Sequence, residues 1–156
     1  MPTRYTRAQI AIHWAVAVLI VTNYFLGEGM GRQLKAKLDG QAFTTPWHVW
    51  IGLTVLALVV LRIVIRFAQG APETGGVPGS LTQKLGGLSH VLLYVLMAGV
   101  PLGGAIAWYQ GVEALGEPHA LAGNVLMGLA GLHALAALYH QYVVKDGLLL
   151  RMMRPR

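Results

Sequence analysis

Residues 118–145 read PHALAGNVLMGLAGLHALAALYHQYVVK, and from Pro118 to Val144 about 27 residues pass without a charge, enough to cross a bilayer as an α-helix. Three histidines punctuate the run. At helical periodicity His119, His133 and His140 fall on one face, with Leu126 on the same stripe. A rise of about 1.5 Å per residue sets His119 and His133 roughly 21 Å apart along the axis. Their neighbours are small: Ala122 and Gly123 beside the first, Ala130, Ala136 and Ala137 beside the second. One helix thus offers an imidazole near one membrane surface and another past the middle, with room beside each for a flat, bulky group.

The rest of the chain has the same character. With 55% hydrophobic and only 12% charged residues in 156, it reads as one integral membrane domain, residues 1–156, rather than a soluble protein. The net charge of +6 does not point to nucleic acid, because the basic residues sit in the gaps between apolar runs. The absence of cysteine excludes disulfides, thiolate metal sites, iron-sulfur clusters and thioether-attached haem. Any ligation must use histidine, with methionine a distant second.

Four spans are expected, at about 8–27, 46–67, 85–108 and 118–144. Thr6 is a suitable N-cap for the first, and His13 and Trp14 interrupt its apolar run in a way a signal peptide does not. Glu28 to Thr45 is a polar connector, and Pro46 suits the first turn of the second span. That span ends on Arg62 and Arg66, at i and i+4, whose stems can snorkel to the surface. Gln69 to Ser80, QGAPETGGVPGS, is a loop. In the third span Pro101 is expected to kink or end the helix, and Gly99 and Gly103 form a G-x-x-x-G pair that would admit a close neighbour. Four crossings put both termini on one side with Arg4, Arg7, Arg62, Arg66, Lys84, Lys145, Arg151, Arg154 and Arg156, against only Arg32, Lys35 and Lys37 opposite. The positive-inside rule makes the termini cytoplasmic, with Trp14 near the inner interface and Trp47, Trp50 and Trp108 near the outer one.

Depth then sorts the histidines. His48 and His119 open their helices at the outer surface, whereas His13, His90, His133 and His140 form an inner group. Two imidazoles from opposing helices are what a six-coordinate haem iron requires. A His-lined metal transporter is the rival of another class, but no Asp or Glu lies within the spans to serve a hard ion or a proton relay. By depth alone His13 pairs with His140 nearly as well as with His133.

Five segments carry a family likeness: RYTRAQIAIHW, HVWIGLTVLALVVLRIVIR, GLSHVLLYVLMAGVPLGG, PHALAGNVLMGLAGLHALAALYHQY and KDGLLLRMM. In this order, over nearly the whole chain, they resemble the bacterial cytochrome b561 family. The resemblance implies an all-α, integral membrane four-helix bundle in the bacterial inner membrane, with two b-type haems held between helices. It assigns His48 and His119 to the outer haem and His13 and His133 to the inner one, choosing His133 where depth left His140 open. It makes His140 and His90 candidates for an inner quinone pocket, and Arg62 and Arg66 candidates for the inner haem propionates. The activity implied is oxidation of superoxide outside and reduction of ubiquinone near the inner haem, with Arg32, Lys35 and Lys37 placed to steer a small anion. The alternative is a membrane subunit relaying electrons between quinone and a protein redox partner. The connector between the third and fourth spans is shorter here than in some relatives of that family.

Overall fold

The computed structural model describes residues 4–72 and 79–155, so the middle of the expected loop (73–78), the first three residues and Arg156 lie outside the described residues. Among the described residues five α-helices form: α1 (Arg7–Phe25), α2 (Met30–Leu38), α3 (Trp47–Gln69), α4 (Leu81–Gln110) and α5 (Gly116–Tyr139). A 3-10 turn at Glu113–Leu115 leads into α5, a π-helical turn at His140–Val144 continues it, and a 3-10 turn at Leu149–Met152 follows. Among the described residues four stretches are long and apolar enough to cross a membrane: Arg7–Phe25, Trp47–Gln69, Leu81–Gln110 and Glu113–Val144. The protein is an all-α membrane bundle.

Local chemistry starts the helices where the sequence indicates. Thr6 caps α1 reciprocally: its hydroxyl accepts from the Gln9 N–H while its own N–H donates to Gln9 Oε1, which satisfies two donors of the open first turn. Ser80 caps α4 through Gln83 N–H. That cap draws Lys84 into the first turn of α4, so the helix begins four residues before the expected span. A lysine at a membrane surface sends its charge outward and does not end a helix.

The four spans alternate in direction, with α1 against α3, α3 against α4, α4 against α5 and α5 closing on α1. Hydrogen bonds lock the ends. Thr6 Oγ1 donates to Gln69 Oε1 and Gln9 Nε2 to the Gly70 carbonyl, while Trp14 Nε1 donates to the Met152 carbonyl. This is the end that holds both termini, called inner in the orientation expected from charge. At the outer end Tyr24 Oη donates to Asn124 Oδ1. Between them Val16, Val55, Val59, Leu93, Met97 and Leu126 form a buried plug, held by packing contacts because lipid is as apolar as the residues themselves.

Three expectations change. Pro101 does not end the helix: it lies inside α4, which runs on to Gln110, and the backbone bond a proline removes is tolerated where neighbouring helices surround it. Gly99 and Gly103 face open space, and Gly104 is the glycine against a neighbour. Trp108 is 3% exposed, not part of a surface belt. The connector also folds: α2 lays Leu34 onto Val49, Ala107 and Trp108 in a second small core.

Candidate functional site

At the outer end α3 and α5 bring His48 and His119 together, their ring centroids 5.9 Å apart and nearly perpendicular at 85°. Each ring is held from behind. His48 Nδ1 is 3.0 Å from the Asn23 carbonyl and His119 Nδ1 2.9 Å from the Val100 carbonyl. A carbonyl can only accept, so each Nδ1 carries the proton and each Nε2 keeps its lone pair, the tautomer a metal ligand needs. Four residues beyond each of these carbonyls stands a glycine. A Cβ on Gly104 would lie 2.7 Å from His119 Cε1, and one on Gly27 would lie 3.3 Å from His48 Cε1. The missing side chains are what let the rings reach the backbone.

In front of this pair lies a cavity of about 770 Å³, lined by His48 and His119, by Gly52, Leu126 and Met127 within the bundle, and by Glu28, Glu113 and Glu117. That is the size of a pocket for a large planar ligand. An iron held at about 2 Å by a nitrogen on each side spaces two imidazole centroids roughly 6 Å apart. The outer pair fits a bis-histidine haem in spacing, tautomer and room.

Toward the inner end His133 stands between two other rings. His13 on α1 is 6.5 Å away at 66°, and His90 on α4 is 5.3 Å away at 65°. Arg62 turns into the bundle instead of snorkelling out: its NH1 lies 2.8 Å from His13 Nδ1 and its Nε donates to Tyr94 Oη at 3.0 Å. Arg66 lines a small cleft with Tyr5, Gln9, Arg62, Tyr94 and Met152. Among the described residues the buried His90 Nδ1 has no hydrogen-bond partner, so a polar group beside His133 is left to be satisfied. The spacing of His13 and His133 is near that of the outer pair, but a guanidinium N–H can only donate, so His13 Nδ1 accepts from Arg62 and its proton lies on Nε2; His13 would have to release Arg62 to serve as a ligand through that nitrogen.

His140 is apart from this group. It opens the π-helical turn, and its Nδ1 meets Asp146 Oδ2 at 2.5 Å. Burial raises the Asp146 carboxyl, but hydrogen bonds from His140 and the Leu148 N–H outweigh it and hold the carboxyl below its usual range. Arg32, Lys35 and Lys37 share α2. Lys37 donates to the Trp108 carbonyl and lies 5.0 Å over the Trp108 ring and 5.6 Å over that of Phe43. Among the described residues no three of His, Asp and Glu gather as ligands of a free ion.

The sequence reading missed Gly27, Gly104, Tyr94 and Asp146. A signal existed for two of them: a glycine four residues after a carbonyl, in NYFLG and VPLGG, marks backbone left open to a neighbour.

A closed four-helix membrane bundle with imidazoles paired between its helices defines a membrane cytochrome of the b type. A family profile, prokaryotic cytochrome b561, matches residues 4–155, and the chain belongs to that family. It is similar to "Cytochrome b562" of Cereibacter sphaeroides, 46% identical across 97% of this chain and 96% of that protein. It is also similar to "Probable superoxide oxidase CybB" of Yersinia pestis, 30% identical across 98% and 97% of the two chains, and to "Cytochrome b561 homolog 1" of Escherichia coli, 28% identical. Its role is transmembrane electron transfer by a cytochrome b in a bacterial membrane, and its cofactor is haem b.

Proposed function

We propose that the chain works as a single domain carrying one electron at a time from superoxide at the outer face to ubiquinone at the inner face, with both termini cytoplasmic. Two b haems are bound, one by His48 and His119, the other by His13 and His133. The observation that carries this reading is the pair of ring separations, 5.9 and 6.5 Å, each between different helices. The superoxide half is supported by the relative named for that activity, and the ubiquinone half by the family resemblance.

Haem b held by two histidines would supply a one-electron carrier and no site for oxygen to bind. The residues of the chain do the rest. The Asn23 and Val100 carbonyls hold the outer imidazoles in the ligating tautomer. The plug from Val16 to Leu126 keeps water out of the middle of the bundle, so that charge crosses without a proton path. In this reading Arg66 serves an inner propionate and His90 is the nearer quinone candidate, His140 being engaged by Asp146.

The test is haem per chain in the purified protein, followed through the reduced α band and its response to added quinol. Wild type should bind two haems. His119→Ala and His133→Ala should each bind one, and His140→Ala both; one haem in wild type, or loss with His140 instead of His133, would sink the assignment.

A second reading, electron relay from a protein partner, is favoured by Glu28, Glu113 and Glu117 at the outer cavity, which suit a basic surface better than a small anion. Co-purification of a stable redox partner, together with no haem reduction by superoxide, would select it.

A further inference from the structure

Beyond α5 the chain builds a surface that neither histidine pair uses. Residues 145–156 read KDGLLLRMMRPR, four cations against one carboxylate, and that carboxylate, Asp146, is already engaged by His140 and the Leu148 N–H. The 3-10 turn at Leu149–Met152 folds back on the bundle: Trp14 Nε1 donates to the Met152 carbonyl, and Met152 closes one side of the cleft formed by Tyr5, Gln9, Arg62, Arg66 and Tyr94. An indole sits at the headgroup level of a bilayer, its ring in the apolar layer and its N–H at the polar one, so the bond from Trp14 sets the turn at that depth. In a 3-10 turn residues three apart share a side. Leu150 and Met153 share one and are 40% and 57% exposed. Arg151 and Arg154 share another, with Arg154 exposed, and Arg4 and Arg7 stand exposed where α1 begins.

An apolar side next to a cationic one at interfacial depth matches a leaflet in which anionic headgroups lie over acyl chains. The helices that form the cleft, α1, α3 and α4, contain no carboxylate that could neutralise the cations in place of lipid. We propose that the turn at Leu149–Met152 is a binding surface for anionic phospholipid, with Arg151 and Arg154 meeting the headgroup phosphates and Leu150 and Met153 entering the acyl layer. The lipid holds Met152 over the cleft and keeps its bond to Trp14 closed. Trp14 stands edge-on to His13 with ring centroids 5.3 Å apart, so the same lipid steadies one wall of the inner pair. A short turn held to the bundle by few bonds otherwise opens locally far more readily than the helices do. None of this depends on how many haems are bound or on the direction of electron flow.

The experiment is amide hydrogen exchange across residues 148–153 of the purified holoprotein, in nanodiscs of phosphatidylcholine and in nanodiscs with phosphatidylglycerol added. A cation leaving an anionic surface shifts an equilibrium about fivefold, so opening that carries Arg151 and Arg154 away should be slowed at least about fivefold by phosphatidylglycerol. High salt should remove most of the slowing. Arg151→Gln with Arg154→Gln should reduce it to below about twofold, whereas Arg154→Lys, which keeps the charge, should retain it. Arg32→Gln with Lys35→Gln, at the opposite end of the bundle, should leave it as in wild type. Each ratio is taken within one variant, so a substitution that merely loosens the turn changes both rates and not their ratio. Equal exchange in the two bilayers, or a slowing that survives the double variant, overturns the proposal. So does slowing by inorganic phosphate in phosphatidylcholine alone, which would make the turn a site for a free anion.

Discussion

Gly104 keeps only hydrogen where a Cβ would stand 2.7 Å from His119 Cε1 and 3.1 Å from its Nδ1, a distance at which the ring must move. Because that ring is also fixed by the Val100 carbonyl, displacing it costs a hydrogen bond as well as its alignment with His48. Gly104→Ala is expected to lose most of the outer haem while Gly103→Ala, which meets open space, loses none; haem per chain by absorbance checks both. At the other end Asp146 ties His140 to the Leu148 N–H. Its pKa is depressed on folding, so the stability it lends is present above the unfolded aspartate value of about 3.9 and is lost as pH falls through the lower folded value. Amide exchange at Leu148 should be insensitive to Asp146 ionisation from pH 7 to about 5, after allowance for intrinsic exchange chemistry, and should quicken only near and below about 4. Quickening already at pH 6 would overturn the role given to Asp146.

At the scale of elements, α2 separates two roles that its charges seemed to share. Lys37 sits at the C-terminal end of α4, where a cation meets the negative end of the helix dipole. Removing it with Lys37→Met is expected to cost about 1 kcal/mol, read as a lowered Tm in detergent. Steering of a small anion then falls to Arg32 and Lys35, both exposed. Arg32→Glu with Lys35→Glu should slow superoxide-driven haem reduction at low salt and converge on wild type at high salt, where exposed charges are screened. A rate unchanged at low salt removes the steering role and strengthens the relay reading.

For the whole molecule, alternating spans tie the sidedness of one end to that of the other. A phosphatase reporter placed between Gly40 and Thr45 should be active, and one fused behind Arg156 inactive, in keeping with the excess of Lys and Arg at the inner end. The opposite pattern would invert every assignment of outer and inner made above. The apolar runs, their number and the depth of each histidine were legible in the amino-acid order, because hydropathy and rise per residue are properties of a single helix. So was the likeness to a di-haem bundle. That likeness also chose His133 over His140; what only the tertiary structure decided is how the rings and their neighbours meet. His133, and not His140, stands 6.5 Å from His13, His90 lies nearer still to His133, and Arg62 turns inward. Those outcomes depend on how each helix is rotated about its own axis against its neighbours, and in lipid that rotation is chosen by packing of small residues and by polar pairing across the bundle, which no one segment carries in its own sequence.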